Sequence, residues 1–181
     1  MGIRFLLLLA AVFVAQAEPP RNVELFGTIG ALRGGGDEGS NGSGAMYGGA
    51  ATIPFAKRWA VDVQAFTSKL SNRVDYRLRR VVLSPALQYR SGDDRAYWFL
   101  AFGPGLERDR VEGRFQSFDN TGVGREVSFR GTESGVTLHW RTGGVFEPTQ
   151  RLLIRGEFFW VNRYVLPNVG VAISVGVRLG R

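Results

Sequence analysis

Cysteine is absent from the 181 residues, and lysine and histidine are nearly absent. Without cysteine the chain can hold no disulfide, no thiol nucleophile and no zinc–thiolate site. The single histidine, His139, excludes a multi-histidine metal centre, and Lys57 and Lys69 are the two lysines. Arginine therefore carries most of the basic charge, and the formal net charge is +7.

Long apolar runs are also scarce, which excludes a helical membrane protein with several spans of about 20 residues each. The longest apolar run extends from Phe5 to Ala15, after Arg4, and it ends in the small-residue pattern Ala15-Gln16-Ala17. A basic residue, a short apolar run and this pattern are typical of a cleaved secretory signal. We therefore predict a signal peptide at residues 1–17 and one exported domain at residues 18–181.

The sequence contains none of the phosphate-binding, dinucleotide-binding or hydrolase motifs that would indicate an enzyme. The glycine-rich stretch 34–44 lacks the lysine and the following helix of a phosphate-binding loop, so we interpret it as an outer loop. The arginines are spread along the chain and form no nucleic-acid-binding motif. We expect no catalytic residues, no cofactor, no metal site and no nucleic-acid partner.

Alternating polar and apolar residues indicate β-strands throughout the exported domain, whereas helical periodicity is scarce. Glycine, at 25 residues, is well above the usual share of about 7%. Turn-forming sequences such as Ser91–Asp94 divide the pattern into eight segments. The predicted strands are Val23–Arg33, Ala45–Phe55, Trp59–Lys69, Leu78–Arg90, Arg95–Arg108, Ser134–Phe146, Arg151–Arg163 and Asn168–Leu179.

Short and longer links alternate between these strands, which places most of the long loops at one end of an up-and-down meander. Outer-membrane barrels show this pattern, with short periplasmic turns and longer outer loops. The predicted strands are also longer than the 5–6 residues usual in globular proteins. The longest link, Asp109–Glu133, is polar and mixed in charge, and we predict an outward-facing, mobile loop there.

The alternation leaves open which face of the strands lines the interior. In a membrane barrel the apolar face meets lipid, whereas in a soluble lipocalin-like carrier it fills the core. Two features favour the membrane barrel. Small residues alternate with valine and isoleucine in the last strand, and aromatic residues near strand ends suggest two interfacial girdles. The girdle candidates are Trp59, Tyr89, Tyr97 and Phe146 at one end, and Trp160 and Tyr164 at the other.

Two prolines, Pro85 and Pro104, lie inside predicted strands. Proline removes a ladder hydrogen bond, so we predict a β-bulge at each. The lipocalin-like alternative lacks the early Gly-x-Trp sequence typical of that family, because the first strand reads Phe26-Gly27-Thr28-Ile29.

The chain resembles the small eight-stranded outer-membrane barrels of Gram-negative bacteria, the OmpA-, OmpX- and OmpW-like proteins with an outer membrane protein beta-barrel domain. The resemblance rests on the signal peptide, the eight segments, and the sequences at 84–89 (SPALQY) and 101–107 (AFGPGLE). Ser174, Gly176 and Leu179 resemble the C-terminal signal that the barrel-assembly machinery reads. Arg181 departs from it, since the family usually ends in an aromatic residue.

The resemblance implies an all-β, eight-stranded antiparallel up-and-down transmembrane barrel in the cell outer membrane, with periplasmic termini. The polar strand faces then form a network in the lumen, where charged groups need partners. Its predicted members are Glu24, Asp62, Arg80, His139, Arg141, Arg155, Glu157 and Arg178. Arginines beside the outer loops are candidate contacts to lipopolysaccharide phosphates. These are Arg73, Arg77, Arg108, Arg110 and Arg114.

An eight-stranded barrel is just wide enough to be filled by its own side chains. We therefore expect a structural or surface-interaction role for a monomer, with outer-membrane lipid and lipopolysaccharide as partners, and no general diffusion pore. The alternatives are the soluble lipocalin-like carrier and a lipid A-modifying barrel enzyme. Resemblance to the lipid A deacylase would require a serine two residues after the histidine, and Arg141 occupies that position.

Overall fold

The computed structural model describes residues 22–34, 42–71, 76–93, 95–118, 122, 124–162 and 168–180. The predicted signal peptide and most of the glycine-rich stretch lie outside these ranges. In the described part of the chain, no helix is both long and apolar enough to cross a membrane.

Eight antiparallel strands form a closed barrel, and each strand pairs with its neighbours in sequence, so the predicted fold class is confirmed. The last strand closes the ring against the first. The strands are β1 Val23–Arg33, β2 Ser43–Ala56, β3 Trp59–Ser71, β4 Tyr76–Gly92, β5 Ala96–Phe118, β6 Gly124–Thr149, β7 Leu152–Asn162 and β8 Asn168–Leu179.

The strands are staggered around the ring. Ile53 on β2 has a partner on β3, which has a partner on β4, and this path leads once around the barrel and back to β2. It arrives at Ser43, so the displacement along the strand is ten residues. A stagger of this kind tilts the strands against the barrel axis, which is required to close a sheet. It also brings residues that are distant in sequence to the same depth in the lumen.

Apolar side chains cover the outside of the barrel, and polar side chains are enriched inside. In β8, Ala172 is 4% exposed whereas the adjacent Ile173 is 61% exposed. The same alternation holds in β3, where Asp62 and Gln64 are buried and the flanking Val61, Val63 and Ala65 are exposed or half-buried. This arrangement is the reverse of a soluble barrel and is that of a transmembrane barrel. The lipocalin-like alternative required the apolar face inside and is therefore wrong.

Outward aromatic residues cluster at the end of the barrel that carries the short turns. Trp59 packs edge-on against Tyr89 with ring centroids 5.2 Å apart, and Phe146 is exposed. The prediction for Tyr97 is wrong, because its side chain points into the lumen and is only 7% exposed, whereas Trp98 faces outward. Trp160 is exposed on β7, and Tyr164 lies outside the described residues.

The prediction of a long loop at Asp109–Glu133 is also wrong, because β5 and β6 continue through most of this segment as a regular hairpin. Their pairing runs without a shift from Ala96 opposite Phe146 to Phe118 opposite Gly124. Strand β4 accompanies β5 only as far as Gly113. Beyond the membrane both faces of a strand meet water, so the apolar alternation that marks a strand in the sequence disappears while the ladder continues.

The predicted bulges at Pro85 and Pro104 are not present. Leu83 lies opposite Leu106 and Leu87 lies opposite Phe102, so the register is the same on both sides of the prolines. This register places Pro85 opposite Pro104, and the two missing N–H groups therefore interrupt the ladder at one place. Register shifts occur instead beside two short turns, between Pro54 and Ala56 and between Phe146 and Thr149.

Candidate functional site

The eight residues predicted for the lumen network all point inward, and seven of them are buried, with Arg178 partly exposed. They do not form one network. Together with neighbours they form three charged clusters at successive depths, which we name the turn-side, central and loop-side clusters.

The central cluster is formed around Asp62 and Arg155, on strands β3 and β7. Two Arg155 nitrogens donate hydrogen bonds to the Asp62 carboxylate at 3.1 and 3.2 Å, and Arg155 also donates to Glu157 at 2.6 Å. Arg141 lies 3.0 Å from Asp62 and donates to the Gln64 side chain. Two buried arginines therefore face two buried carboxylates, and each charge has a partner of opposite sign.

The turn-side cluster is centred on Glu24 in the first strand. Arg90 and Arg178 approach its carboxylate at 2.6 and 3.1 Å, and the Tyr97 hydroxyl donates to it at 2.6 Å. Arg178 also contacts Glu147 at 2.6 Å. Tyr97 was predicted for the girdle, and Glu147 follows directly after the predicted strand Ser134–Phe146, so neither was predicted for this cluster.

The loop-side cluster contains Arg80, His139 and the carboxylates of Glu107 and Asp109. Glu107 was predicted near the end of the fifth strand, and Asp109 was predicted at the start of the long loop. Arg80 donates two hydrogen bonds to Asp109, at 3.0 and 2.9 Å. His139 Nε2 lies 3.2 Å from Glu107 and 2.9 Å from the Thr137 hydroxyl. Gly105 makes room for the imidazole, since a side chain there would collide with the ring.

Apolar layers, which the alternation of residues did not predict, separate the charged clusters. Phe66 and Phe159 meet at 5.9 Å between the central and loop-side clusters, within a layer that includes Leu32, Met46, Val82 and Val161. A second layer with Phe26, Phe99, Val145 and Leu153 packs beneath the central cluster. Arg155 stacks on the Phe99 ring at 4.3 Å. The lumen is therefore filled by side chains of alternating polarity.

The one histidine of the chain lies in the loop-side cluster. His139 is buried and contacts Glu107 and Thr137, and no serine hydroxyl is among its hydrogen-bond partners in the described ranges. Within the same ranges, no group of three or more histidine, aspartate or glutamate residues is arranged to hold a metal ion.

The outer arginines occupy the loop-side edge of β4 and β5. Arg77, Arg108, Arg110 and Arg114 are exposed there, and Arg73 lies outside the described residues. Arg114 pairs with Glu126 at 3.2 Å, and Glu112 contacts Arg130 at 2.6 Å and Arg110 at 3.3 Å. The Arg130 hydrogen bond and charge hold the pKa of Glu112 below its usual value, with smaller contributions from Arg110 and Arg77.

No protein-family model and no curated protein sequence matches the chain. Solved structures match over nearly its whole length. The outer membrane protein OprG from Pseudomonas aeruginosa aligns with a TM-score of 0.59 at 12% identity, covering 92% of this chain and 99% of OprG. Neisserial surface protein A (NspA) aligns with a TM-score of 0.58 at 12% identity, covering 88% and 97%.

The attachment invasion locus protein Ail of Yersinia pestis is similar in the same way. It aligns with a TM-score of 0.56 at 13% identity, and the match covers 87% of this chain and 97% of Ail. At such low identity the common property is the backbone architecture. The chain therefore has the fold of the small eight-stranded outer-membrane β-barrels.

Proposed function

We propose that the chain is an integral protein of the bacterial outer membrane with a structural or surface-interaction role, and that it is neither a general diffusion pore nor an enzyme. The filled lumen carries the first part of this proposal. In the described part of the chain, charged clusters with paired side chains alternate with apolar layers along the lumen. The buried position of His139 supports the absence of catalysis.

A swelling assay tests the absence of a pore. Liposomes that contain the purified protein and are placed in an isotonic monosaccharide solution should swell no faster than protein-free liposomes, because the Phe66–Phe159 layer and the central cluster block the lumen. A trimeric porin reconstituted at the same protein-to-lipid ratio is the positive control. Swelling that rises in proportion to the amount of protein would contradict the proposal.

The β5–β6 hairpin supports a role in surface interaction. It extends past the end of β4, and Phe118 is 66% exposed near its tip, with Phe129 also exposed. The charges beside these rings are largely paired within the hairpin, as in Arg114–Glu126 and Arg130–Glu112. Exposed aromatic residues and arginines are typical of protein-binding surfaces. Ail and NspA, which share the fold, are named as attachment and surface proteins.

An epitope tag inserted at Gly122, which is exposed at the end of the hairpin, should bind antibody on intact cells. The matched control is the same tag in the β4–β5 turn beside Asp93, which should be reached only after the outer membrane is permeabilised. The reverse pattern would mean that the hairpin faces the periplasm. Equal labelling of both tags on intact cells would mean that the protein does not span the membrane.

A further inference from the structure

The β5–β6 hairpin leaves one edge of β6 with a strand on one side only. Strand β6 pairs with β5 from Gly124 to Phe146, whereas its pairing with β7 begins at Leu138. In the described part of the chain, residues 124–137 therefore have β5 as their only neighbouring strand. We call these residues of β6 the free edge. The other edge of the hairpin is shorter, because β4 accompanies β5 as far as Gly113.

The sequence of the free edge lacks the features that protect most edge strands. Proteins usually block such an edge with proline, lysine or a β-bulge, or keep the strand short. Residues 124–137 contain no proline and no lysine, and their pairing with β5 runs without a register shift. The free edge is also longer than the 5–6 residues of a typical strand. Its backbone N–H and C=O groups are therefore a template for another strand.

Side chains on both faces of the free edge are exposed. Glu126 and Arg130 lie on the face that continues the lipid-facing surface, and their side chains are 61% and 64% exposed. Val127 and Phe129 lie on the opposite face and are also exposed. Ser128 is at the centre of this run. One face of the run thus carries a carboxylate and a guanidinium, and the other carries two apolar groups.

The free edge is complementary to a second copy of itself in antiparallel orientation. Two identical strands paired in this way have a two-fold axis at one residue, which lies opposite its own copy. With the axis at Ser128, Glu126 lies opposite Arg130 of the second copy. In the same register Val127 lies opposite Phe129 of the second copy, and symmetry forms each pair twice. Opposite charges and apolar–aromatic pairs at such positions stabilise a sheet.

The same register continues a row of alternating charges across the contact. Within one hairpin Arg114 pairs with Glu126 at 3.2 Å, and Arg130 pairs with Glu112 at 2.6 Å. In the antiparallel pair, Glu126 is followed by the arginine and then by the glutamate of the second copy, so the signs alternate over four strands. Parallel pairing in register would place each of these charges opposite its own copy, and like charges at opposite positions are destabilising.

We propose that the free edge binds the free edge of a second copy of this chain, through antiparallel pairing centred on Ser128. Antiparallel pairing places the two barrels at opposite ends of the joined hairpins. Both hairpins continue strands that cross a membrane, so the two copies belong to membranes that face each other. The contact therefore links two facing outer membranes. This inference rests on the proposed function, because it requires the hairpin to extend from the cell surface.

Charge reversal tests the contact without a change in the membrane-spanning strands. E126R and R130E each place two pairs of like charges in the contact, so either variant alone should dimerise roughly 30-fold more weakly than the unmodified protein. An equimolar mixture of the two variants should recover most of the association, because each reversed charge then lies opposite a charge of the other sign. Sedimentation equilibrium of the full protein in density-matched detergent micelles measures these dissociation constants.

R125E is the matched control, because it makes the same change of charge as R130E on the same strand. In the proposed register Arg125 lies opposite Gly131 of the second copy, so R125E should dimerise as the unmodified protein does. Loss of the dimer in R125E would place the two-fold axis elsewhere, for example at Phe129, and would overturn the proposed register.

A disulfide reports the register directly, since the chain has no cysteine of its own. Directly opposite residues on antiparallel strands lie within the distance that a disulfide spans. S128C should therefore form a covalent dimer under mild oxidation. S134C, at an exposed serine on the same face of the same strand, should remain monomeric. A covalent dimer of S134C without one of S128C would contradict the axis at Ser128.

Vesicle clustering tests the facing arrangement. Proteoliposomes that carry the unmodified protein with the hairpin outward should cluster, as measured by light scattering, and proteoliposomes that carry E126R should remain separate. E126R and R130E proteoliposomes should cluster when they are mixed. Dimers in micelles without clustering of vesicles would overturn the facing arrangement.

Two outcomes would overturn the contact itself. The first is an unmodified protein that stays monomeric in micelles, and the second is a mixture of E126R and R130E that associates no better than either variant alone. The micelle measurements do not depend on the direction in which the hairpin points in a cell. A failed contact and a failed surface location, tested by the tag at Gly122, can therefore be told apart.

Discussion

Replacement of Arg155 by alanine is expected to lower the free energy of unfolding by about 3–5 kcal/mol, the range for removing one partner of a buried ion pair. Arg155 is 1% exposed and donates hydrogen bonds to both Asp62 and Glu157. Without it, two buried carboxylates remain with Arg141 as the neighbouring cation. Urea titration followed by tryptophan fluorescence measures the change, since four tryptophans are present.

Two further variants separate the loss of charge from the loss of volume. Arg155→Met keeps most of the side-chain volume, so a comparable loss would assign the effect to charge. In that background Glu157→Gln should recover part of the stability, because one unpaired carboxylate is removed. Arg95→Ala, on an exposed turn, should change stability by less than about 0.5 kcal/mol. A loss below about 1 kcal/mol for Arg155→Ala would mean that water reaches the central cluster.

Replacement of Ile173 by arginine is expected to cost about 2–4 kcal/mol, the cost of placing a charge on the lipid face near the bilayer midplane. Ile173 lies in the middle of β8, is 61% exposed, and pairs with Ile29 and Gly156 on the neighbouring strands. Its outward neighbours on the described strands, which include Ile29, Val171 and Val175, offer the arginine no carboxylate. Unfolding from phospholipid vesicles, rather than from detergent, measures the full effect.

Leu179→Arg is the matched control because Leu179 lies on the same face of the same strand, at its end. Close to the interface the same substitution should cost only about 0–1 kcal/mol. The difference between the two positions reports depth in the membrane and is independent of strand propensity. Equal costs at Ile173 and Leu179 would contradict the placement of β8 across the bilayer.

The sequence predicts the strands well where the two faces differ in polarity. In β3 the alternation of Val61, Asp62, Val63 and Gln64 is regular, because one side meets lipid and the other meets the central cluster. It predicts poorly which side chains point into the lumen where both faces of a strand have the same polarity, as the wrong placement of Tyr97 shows. The run Tyr97–Phe102 is apolar throughout because an apolar layer fills the lumen at that depth, with Phe99 and Ala101 fully buried.

The composition of the lumen network was predictable, but its division into clusters was not. The inward face of each strand follows from alternation, and Glu24, Asp62 and Arg155 are found where that alternation places them. The partners depend on the stagger of the strands, which brings Glu24 to Arg178 and Asp62 to Arg155 from distant parts of the sequence. No local pattern specifies that stagger.

The loop-side partners were missed for a different reason. Asp109 and the residues after it were assigned to a loop because no apolar alternation marks them. In the structure Asp109 is buried and accepts hydrogen bonds from Arg80. For the same reason Arg108 and Arg110 were treated as charges beside the loop, and Lys69 and Arg79 were not singled out. Only the paired registers of β3, β4 and β5 bring these cations together.

The central claim is that the barrel contacts lipid with its apolar face and fills its lumen with the other face. Contacts between methyl protons and lipid acyl-chain protons, measured by nuclear magnetic resonance on the protein in lipid nanodiscs, test it without any substitution. The methyl groups of Val171, Ile173 and Val175 should show these contacts, and those of Ala172 and of Val82 in the lumen should show none. Lipid contacts at Ala172 and Val82, together with their absence at Ile173, would contradict the account.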